Sequence, residues 1–447
     1  MKALPVLDAR AAGIDVGSEA LHVSVAGDSP QIFGTMTGDL LALKDWLKRQ
    51  EVTSVAVEAT GVYWLCLYEV LEAAGIKVLV VNGRHVRNLP GRKTDISDCQ
   101  WLATLHAHGL LRSGFVPEAD IRRLQDYVRL RDDHIRMAAS HVQHMQKALE
   151  RMNLKIHDVI SSLTGKSGMQ LIKAIVAGER NPDRLLALCD KQIRKRKEKR
   201  LREALRGTWK AEHMFALRQA VEGYEFYQRQ IKECDQAMAE VLREMQQNGP
   251  QDGPPAGSVK PTKAMNSVNA PDIADLHWLL YTLCGCKDPT TLPGLGDYTL
   301  LQLIAEVGLD LTLWPTPKHF TSWLGLAPGN NQSGKRRGNS KKQRNRAGRI
   351  FCLIARALAR SVDMAFGGFY RQLRNRKGGL IANQALARKL AEQFWRIMVY
   401  GTEFVEHGLQ QYQERVAQTQ LAALKRLASK HGFALAPLQA APTVVHG

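Results

Sequence analysis

Residues 13–26 read GIDVGSEALHVSVA, and they predict the first two strands of a sheet. Residues 13–17 indicate a short apolar strand that carries one acid, Asp15, and residues 20–26 indicate a second strand directly after it. Residues 31–37 predict a third strand, so the chain begins with a three-stranded meander. The first strand therefore brings one carboxylate to its end.

Alternating strand and helix signals follow this meander. Residues 40–50 predict a helix, residues 54–57 a buried strand that runs into Glu58, residues 62–74 a helix that Gly75 stops, and residues 77–81 a further strand. This β-β-β-α-β-α-β order predicts a mixed sheet flanked by helices. After residue 117 the pattern becomes helical and charged, so the predicted fold class is α/β plus α.

The predicted domains follow these changes of pattern. Residues 1–116 form the sheet domain and residues 117–247 a helical region, in which residues 215–245 suit a helical hairpin or coiled coil. Glycine and proline without apolar periodicity make residues 248–271 a linker. A second compact, mainly helical domain is predicted at residues 272–376, with C-terminal helices and a tail at residues 377–447.

Charge composition points to a polyanionic partner. The 447 residues include 62 Lys and Arg against 43 Asp and Glu, a net charge of +19. Such an excess most often indicates nucleic acid binding, and the alternative is a basic protein that is merely soluble. Residues 191–206, KQIRKRKEKRLREALR, concentrate this charge, and they predict either a solvated helix face or a surface that follows phosphates.

Cysteine usage and hydropathy bear on the compartment. Seven scattered cysteines do not form a disulfide framework, and Cys284 and Cys286 lack the second ligand pair of a zinc site, so they are predicted to be buried thiols. The sequence shows neither a membrane-spanning stretch nor a signal peptide. We therefore expect a bacterial-type cytoplasmic protein that associates with the nucleoid and has no membrane partner.

Four acids form the most informative constellation. Asp15 and Glu58 end predicted strands, and Asp95 and Asp98 share one face at the beginning of a predicted helix. Four carboxylates could hold a pair of Mg²⁺ ions of the kind that assists phosphodiester displacement. Each acid alone is explained as well by a turn or by the helix dipole. The combination favours a metal nuclease and resembles the layout of RNase H/RuvC nucleases.

Two glycine-containing segments are candidates for phosphate contact. Residues 82–93, NGRHVRNLPGRK, precede the acidic pair and contribute Arg84, Arg87, Arg92 and Lys93; the alternative is a surface loop that happens to be basic. Residues 292–297, LPGLGD, lead into an apolar helix, so Gly294 and Gly296 suggest a helix-hairpin-helix-like grip on the DNA backbone or only a tight turn.

A serine lies beside the densest basic segment of the C-terminal half. Residues 335–349 contain eight basic residues and no acid, and Ser333 precedes them without a His or Asp neighbour. Ser333 could attack a DNA phosphate whose developing charge the basic residues stabilise, with Ser340 and Ser322 as rivals. The predicted nucleic acid ligands here are Lys335, Arg336, Arg337, Lys341, Lys342, Arg344 and Arg346.

Five segments, in the order 13–16 (GIDV), 57–61 (VEATG), 93–98 (KTDISD), 292–296 (LPGLG) and 324–338 (LGLAP through SGKRRG), carry a resemblance. They resemble insertion-sequence transposases of family one-hundred-ten, the DEDD or Piv/MooV-like recombinases that are guided by a bridge RNA. The resemblance implies a RuvC-like DEDD domain, a coiled-coil region and a C-terminal transposase domain.

The resemblance also implies roles and partners. Asp15, Glu58, Asp95 and Asp98 match the acidic tetrad and Ser333 the nucleophile, although one glycine follows the serine where family members often have two. The implied partners are donor and target duplex DNA, a bridge RNA, and further copies that form dimers and tetramers with composite active sites.

The resulting prediction is a transposase that cuts and rejoins the DNA of an insertion sequence through a phosphoserine link. The alternatives are a RuvC-like Mg²⁺-dependent nuclease or junction resolvase without a covalent intermediate, and a non-catalytic nucleic acid scaffold.

Overall fold

A computed structural model describes residues 5–59, 61–81, 83, 95–249, 254–255, 259, 268–328, 332–333, 336–337, 344–361, 365–401 and 403–435. The chain divides into two compact units, residues 1–116 (unit 1) and 117–447 (unit 2). This division coincides with the end of the first predicted domain. The predicted domain boundaries, including the linker at residues 248–271, remain predictions.

Unit 1 contains a five-stranded mixed sheet, which confirms the α/β class of this region. Its strands are β1 (Ala12–Val16), β2 (Leu21–Val25), β3 (Gln31–Phe33), β4 (Ser54–Glu58) and β5 (Lys77–Val81). The spatial order is β3-β2-β1-β4-β5. The meander β1-β2-β3 is antiparallel, whereas β4 pairs in parallel with both β1 and β5.

Apolar alternation places two helices on one face of this sheet. Ile14 and Val57 pack there with Leu43 of α1 (Thr37–Arg49) and Leu71 of α2 (Trp64–Ala73). Helix α1 begins three residues before the predicted start, because the Asp39 carboxylate accepts a hydrogen bond from the Met36 N–H (3.1 Å) and caps the first turn. The third strand is correspondingly shorter than predicted.

Unit 2 is built on a long antiparallel helical hairpin, as predicted from the amphipathic pattern. Helix α4 (Ala119–Arg151) packs against α9 (Ala211–Asn248). Arg123 pairs with Glu244, and Arg131 pairs with Asp235 at 2.5 Å, so sequence positions rise on one helix as they fall on the other.

A small helical group, residues 152–210, connects the far ends of the hairpin, and we call it the tip. It contains α5 (Ile156–Val159), α6 (Lys166–Val176), α7 (Pro182–Ala187) and α8 (Lys191–Ala204). Leu171 and Leu201 share a buried core with Leu149 of α4 and Leu217 of α9. The tip is therefore joined to the end of the hairpin by a shared hydrophobic core.

The opposite end of the hairpin, the base, carries the C-terminal helices. These are α10 (Leu276–Leu283), a 3₁₀ turn (Pro289–Thr291), α11 (Asp297–Val307), α12 (Pro317–Trp323), α13 (Arg346–Leu358), α14 (Ala365–Lys377), α15 (Gly379–Tyr400) and α16 (Glu403–Lys430). Phe320, Phe351 and Phe394 join α12, α13 and α15, with the Phe351 and Phe394 rings 5.6 Å apart. The mainly helical character predicted for this region is confirmed.

The cysteines are free thiols. None of the seven cysteines, all within the described residues, forms a disulfide. Cys284 is buried, and this burial raises the pKa of its thiol to about 12, but Cys286 is exposed because it lies in the turn after α10 has ended. The prediction of two buried thiols was therefore wrong for Cys286.

Within the described part of the chain, no helix is long and apolar enough to span a membrane.

Candidate active site

Asp15 and Glu58 lie on the same face and at the same edge of the unit 1 sheet. In the parallel pair, Ile14 of β1 is opposite Val57 of β4, so Asp15 and Glu58 each follow by one residue. Successive side chains point to opposite faces of a strand. Because Ile14 and Val57 face α1 and α2, both carboxylates lie on the other face, and both are half-buried.

Helix α3 (Asp95–Ala107) crosses that second face and runs antiparallel to β1. Its end lies beside the segment that precedes β1, since the Ala107 carbonyl accepts hydrogen bonds from the N–H groups of Leu7 (2.8 Å) and Asp8 (3.1 Å). The beginning of α3, with Asp98, is therefore directed toward the end of β1 that carries Asp15.

Gly13 allows this close approach of helix and strand. A Cβ atom at position 13 would overlap the Cys99 carbonyl and the Ala103 N–H and would lie 2.8 Å from the Leu102 Cβ. The first two obstacles are backbone atoms, which cannot rotate away. A residue without a side chain is therefore required at this point of β1 for α3 to occupy its position.

Cys99 lies close enough to both Asp15 and Asp98 for their charges to act on its thiol. Burial of the thiol, together with the negative charges of Asp15 and Asp98, raises the pKa of Cys99 to about 11. Both carboxylates therefore act electrostatically on one buried sulfur atom. Sequence reasoning missed Cys99, although its position immediately after Asp98 was a usable signal.

Glu58 has a second close neighbour in Gly83. A Cβ atom at Gly83 would overlap the Glu58 carboxylate oxygen Oε1. The Ala59 N–H donates to the Val81 carbonyl (2.9 Å), so pairing between β4 and β5 continues past Glu58. The backbone at Gly83 therefore lies against the Glu58 carboxylate, at the edge where Asp15 also lies.

Several predicted site residues of unit 1 lie outside the described part. Asp95 is described only through its backbone, as the first residue of α3, and the predicted phosphate contacts Arg84, Arg87, Arg92 and Lys93 are outside altogether. Within the described side chains, no group of three or more His, Cys, Asp or Glu could hold a metal ion. The donor chemistry at the edge nevertheless suits a hard divalent cation, because all the donors are carboxylate oxygens.

Ser333 lies in a short two-stranded ribbon of unit 2. Strand β6 (Gln332–Ser333) pairs with β7 (Arg336–Arg337), and the register places Ser333 opposite Arg336. Only the backbone of these four residues is described. Lys335, Lys341, Lys342 and the rival Ser340 lie outside the described residues, whereas the other rival, Ser322, is exposed near the end of α12.

The two arginines that follow this ribbon have protein partners. Arg344 donates to the Gln384 side chain at 3.3 Å. Arg346, the first residue of α13, donates to the Asp132 carboxylate at 2.6 Å and lies 3.5 Å from Glu306. The structure thus gives Arg346 a position in the packing of the base, whereas the sequence suggested a phosphate contact.

This contact belongs to a polar network that sequence reasoning missed. The Tyr298 hydroxyl (2.9 Å) and the Gln302 side chain (3.1 Å) donate to Asp132, and Arg129 donates to Glu306 at 2.8 Å. Burial and the Asp132 charge raise the pKa of Tyr298. The network joins α4, α11 and α13, whose sequence positions are too far apart for any local pattern to reveal it.

Gly294 and Gly296 form the turn that leads into α11. Gly294 has a φ of +79°, and a Cβ atom there would lie 2.9 Å from Ile354 and 3.2 Å from Leu358 on α13. Gly296 is the residue that precedes the first turn of α11. Packing against α13 therefore explains Gly294, and a phosphate-binding role for this turn remains a prediction.

Comparison with known proteins identifies two similar regions. A DEDD transposase model of the IS110 type matches residues 12–154, a range that contains all four predicted acids. A second model, described as transposase IS116/IS110/IS902 family, matches residues 289–371, a range that contains Gly294 and Ser333. The two matches together cover about half of the chain. No curated protein matches it significantly.

Proposed function

The chain belongs to the IS110 family of transposases, and we propose that it cuts and rejoins insertion-sequence DNA with an acidic metal site in unit 1 and Ser333 in unit 2. The observation that carries the proposal is that Asp15 and Glu58 lie at one edge of the sheet and that the beginning of α3 is directed toward the same edge. The strand order, an antiparallel meander followed by two parallel strands, supports a RuvC-like interpretation of unit 1.

Asp15, Glu58 and Asp98, with Asp95 at the first position of α3, would hold two Mg²⁺ ions. Bound divalent ions would supply positive charge at the scissile phosphate. The protein's part is to fix the carboxylates, and it does so through the parallel register of β1 and β4 and the tight seat of α3 on Gly13. The half-buried position of the carboxylates limits their access to water and strengthens their interactions with charge.

Ser333 would act as the nucleophile. Its Oγ forms a bond to phosphorus while one ester bond between that phosphorus and a deoxyribose oxygen breaks. The serine proton is released, and the departing oxygen takes up a proton. The reverse attack by a DNA hydroxyl restores a phosphodiester and frees the serine. Arg336, opposite Ser333 in the ribbon, and the basic residues of 335–349 favour the charge that develops on the phosphate.

The proposed partners follow from family membership and from the charge of the chain. Donor and target duplex DNA are the substrates, a bridge RNA selects the sites, and dimers assemble into tetramers. The net charge of +19 is suited to two nucleic acid partners. Composite sites, in which the acids of one copy serve the serine of another, complete the proposal.

An Asp98→Asn variant tests the acidic site. The substitution preserves shape and removes one negative ligand, so strand cleavage should fall at least about 100-fold while thermal stability changes little. Asp45→Asn is the matched control, because Asp45 is an exposed acid on α1 at the other face of the sheet. Cleavage by Asp98→Asn at the wild-type rate, or full cleavage in a chelator, would refute the acidic site.

A denaturing gel with labelled DNA tests the serine. The wild type should show a protein–DNA adduct that Ser333→Ala lacks, and Ser322→Ala should retain it. An adduct in Ser333→Ala would move the nucleophile to another residue, with Ser340→Ala the next variant. Cleavage without any adduct in the wild type would favour the plain nuclease.

A further inference from the structure

The tip of the unit 2 hairpin presents positive charge in one direction. Leu201 and Ala204 of α8 are buried in the tip core. The helical period therefore turns another side of α8 toward solvent, and the exposed cations there form what we call the α8 basic face. Its members are Lys195, Arg196, Lys199 and Arg200.

Neighbouring cations on α8 have structural tasks, but the α8 basic face does not share them. Lys197 donates to the Val159 carbonyl at 2.6 Å, and Arg202 pairs with Asp183 and Glu198. Among the described residues, no ion pair engages the four members of the face. They also stand in like-charged pairs four residues apart, an arrangement that destabilises a helix. Folding alone therefore does not account for this face.

We propose that the α8 basic face binds the phosphate backbone of duplex DNA, as a contact surface separate from the two regions that the family models match. Residues 191–204 lie between those regions, which end at 154 and begin at 289. Helix α8 contains no aromatic residue on which an unpaired base could stack, and this favours duplex over single-stranded DNA. Flexible cations on an exposed helix contact phosphates without reading sequence.

Distance along the hairpin defines where this contact would fall. Asp132, which holds Arg346 at the beginning of α13, lies 19 positions before Arg151 at the end of α4. At a rise of 1.5 Å per residue these positions are about 28 Å apart. That length corresponds to roughly eight base pairs. A duplex lying along the hairpin would thus be contacted at the tip a little less than one helical turn away from Asp132.

The test is the salt dependence of DNA binding by the full chain in a chelator, so that no cleavage intervenes. The variant carries Lys195→Gln, Arg196→Gln, Lys199→Gln and Arg200→Gln, because glutamine retains helix propensity. The probe is a duplex of about three helical turns, followed by fluorescence anisotropy from about 50 to 200 mM salt. Both proteins should bind more weakly as salt rises. Because the variant lacks four phosphate contacts, its loss of affinity over this range should be about 100-fold smaller than that of the wild type.

A matched variant controls for net charge. It removes the same number of exposed cations from α9, where acids such as Glu222, Glu233 and Glu244 are interspersed with them. The substitutions are Arg218→Gln, Arg229→Gln, Lys232→Gln and Arg243→Gln. The control should retain nearly the wild-type slope. An equal change of slope in both variants would mean that only net charge matters and would overturn the proposal.

A half-variant and a duplex RNA probe serve as two further controls. The half-variant Lys195→Gln with Lys199→Gln should show about half of the change in slope, and circular dichroism should report wild-type helix content. A duplex RNA of the same length is measured in parallel, and loss of RNA binding with DNA binding intact would assign the face to RNA instead. The binding assay requires neither Ser333 nor the acids, so it can fail while the proposed chemistry stands.

Discussion

The base and the tip of the unit 2 hairpin use positive charge in different ways. At the base, Arg131 and Arg346 each contact a carboxylate, and the Arg131 side chain is only 2% exposed. At the tip, the α8 basic face presents its four cations to solvent. A buried guanidinium requires a counter-charge to offset its loss of hydration, whereas an exposed one does not. Cations that serve the fold therefore have a partner inside the chain.

The largest expected effect concerns the buried pair at the base. Arg131→Met leaves the Asp235 carboxylate, which also accepts the Asp272 N–H at 3.0 Å, without its charged partner. We expect the free energy of unfolding to fall by about 3–5 kcal/mol, measured by urea denaturation. The control Arg136→Met breaks an exposed pair with Asp133 and should change stability by less than about 1 kcal/mol. Equal changes in the free energy of unfolding of the two variants would contradict the expected difference between buried and exposed cations.

An intermediate effect is expected at Asp132. Asp132→Asn removes the charge that faces Arg346 and weakens an acceptor for Tyr298, so the free energy of unfolding should fall by about 1–3 kcal/mol. Asp126→Asn, an exposed acid on the same helix, is the control and should change stability by less than about 0.5 kcal/mol. Wild-type stability of Asp132→Asn would show that the network does not hold the base together.

The smallest expected effect has the opposite sign. Lys195→Gln with Lys199→Gln removes a like-charged pair from α8, and at low salt it should stabilise the protein by about 0.2–0.5 kcal/mol. Because salt screens this repulsion, the gain in thermal stability should disappear at high salt. The same variant should bind DNA more weakly, so stability and binding should change in opposite directions. A loss of stability would indicate an internal partner for the face.

Local patterns explain how much of unit 1 could be predicted. Strand and helix periods gave the order of its elements and placed Asp15 and Glu58 at strand ends. The structure adds that the two strands pair in parallel, so both acids lie at one edge. The tight seat of α3 on Gly13 could not be predicted, because it depends on backbone contacts between residues some ninety positions apart. Adjacency in the chain links Cys99 to Asp98, but only the fold brings Asp15, from a distant strand, close enough to act on the same thiol.

The base of unit 2 was harder to predict for a related reason. Arg346 looked like one more cation of a basic segment, and only the fold reveals that Asp132, from a distant helix, faces it. Composition records how many cations the chain has, but the pairing of each one depends on which helices meet. The tip differs, since its basic run is continuous in sequence and remains exposed in the structure.

The absence of a side chain at position 13 has a consequence for how this protein can vary. A methyl group added at position 13 would clash with two peptide groups of α3 and displace the helix from the sheet. The spacing between Asp15 and Asp98 would widen with it, although neither acid had been touched. Mutational tolerance along β1 should therefore be as low at Gly13, a position with no chemistry of its own, as at Asp15.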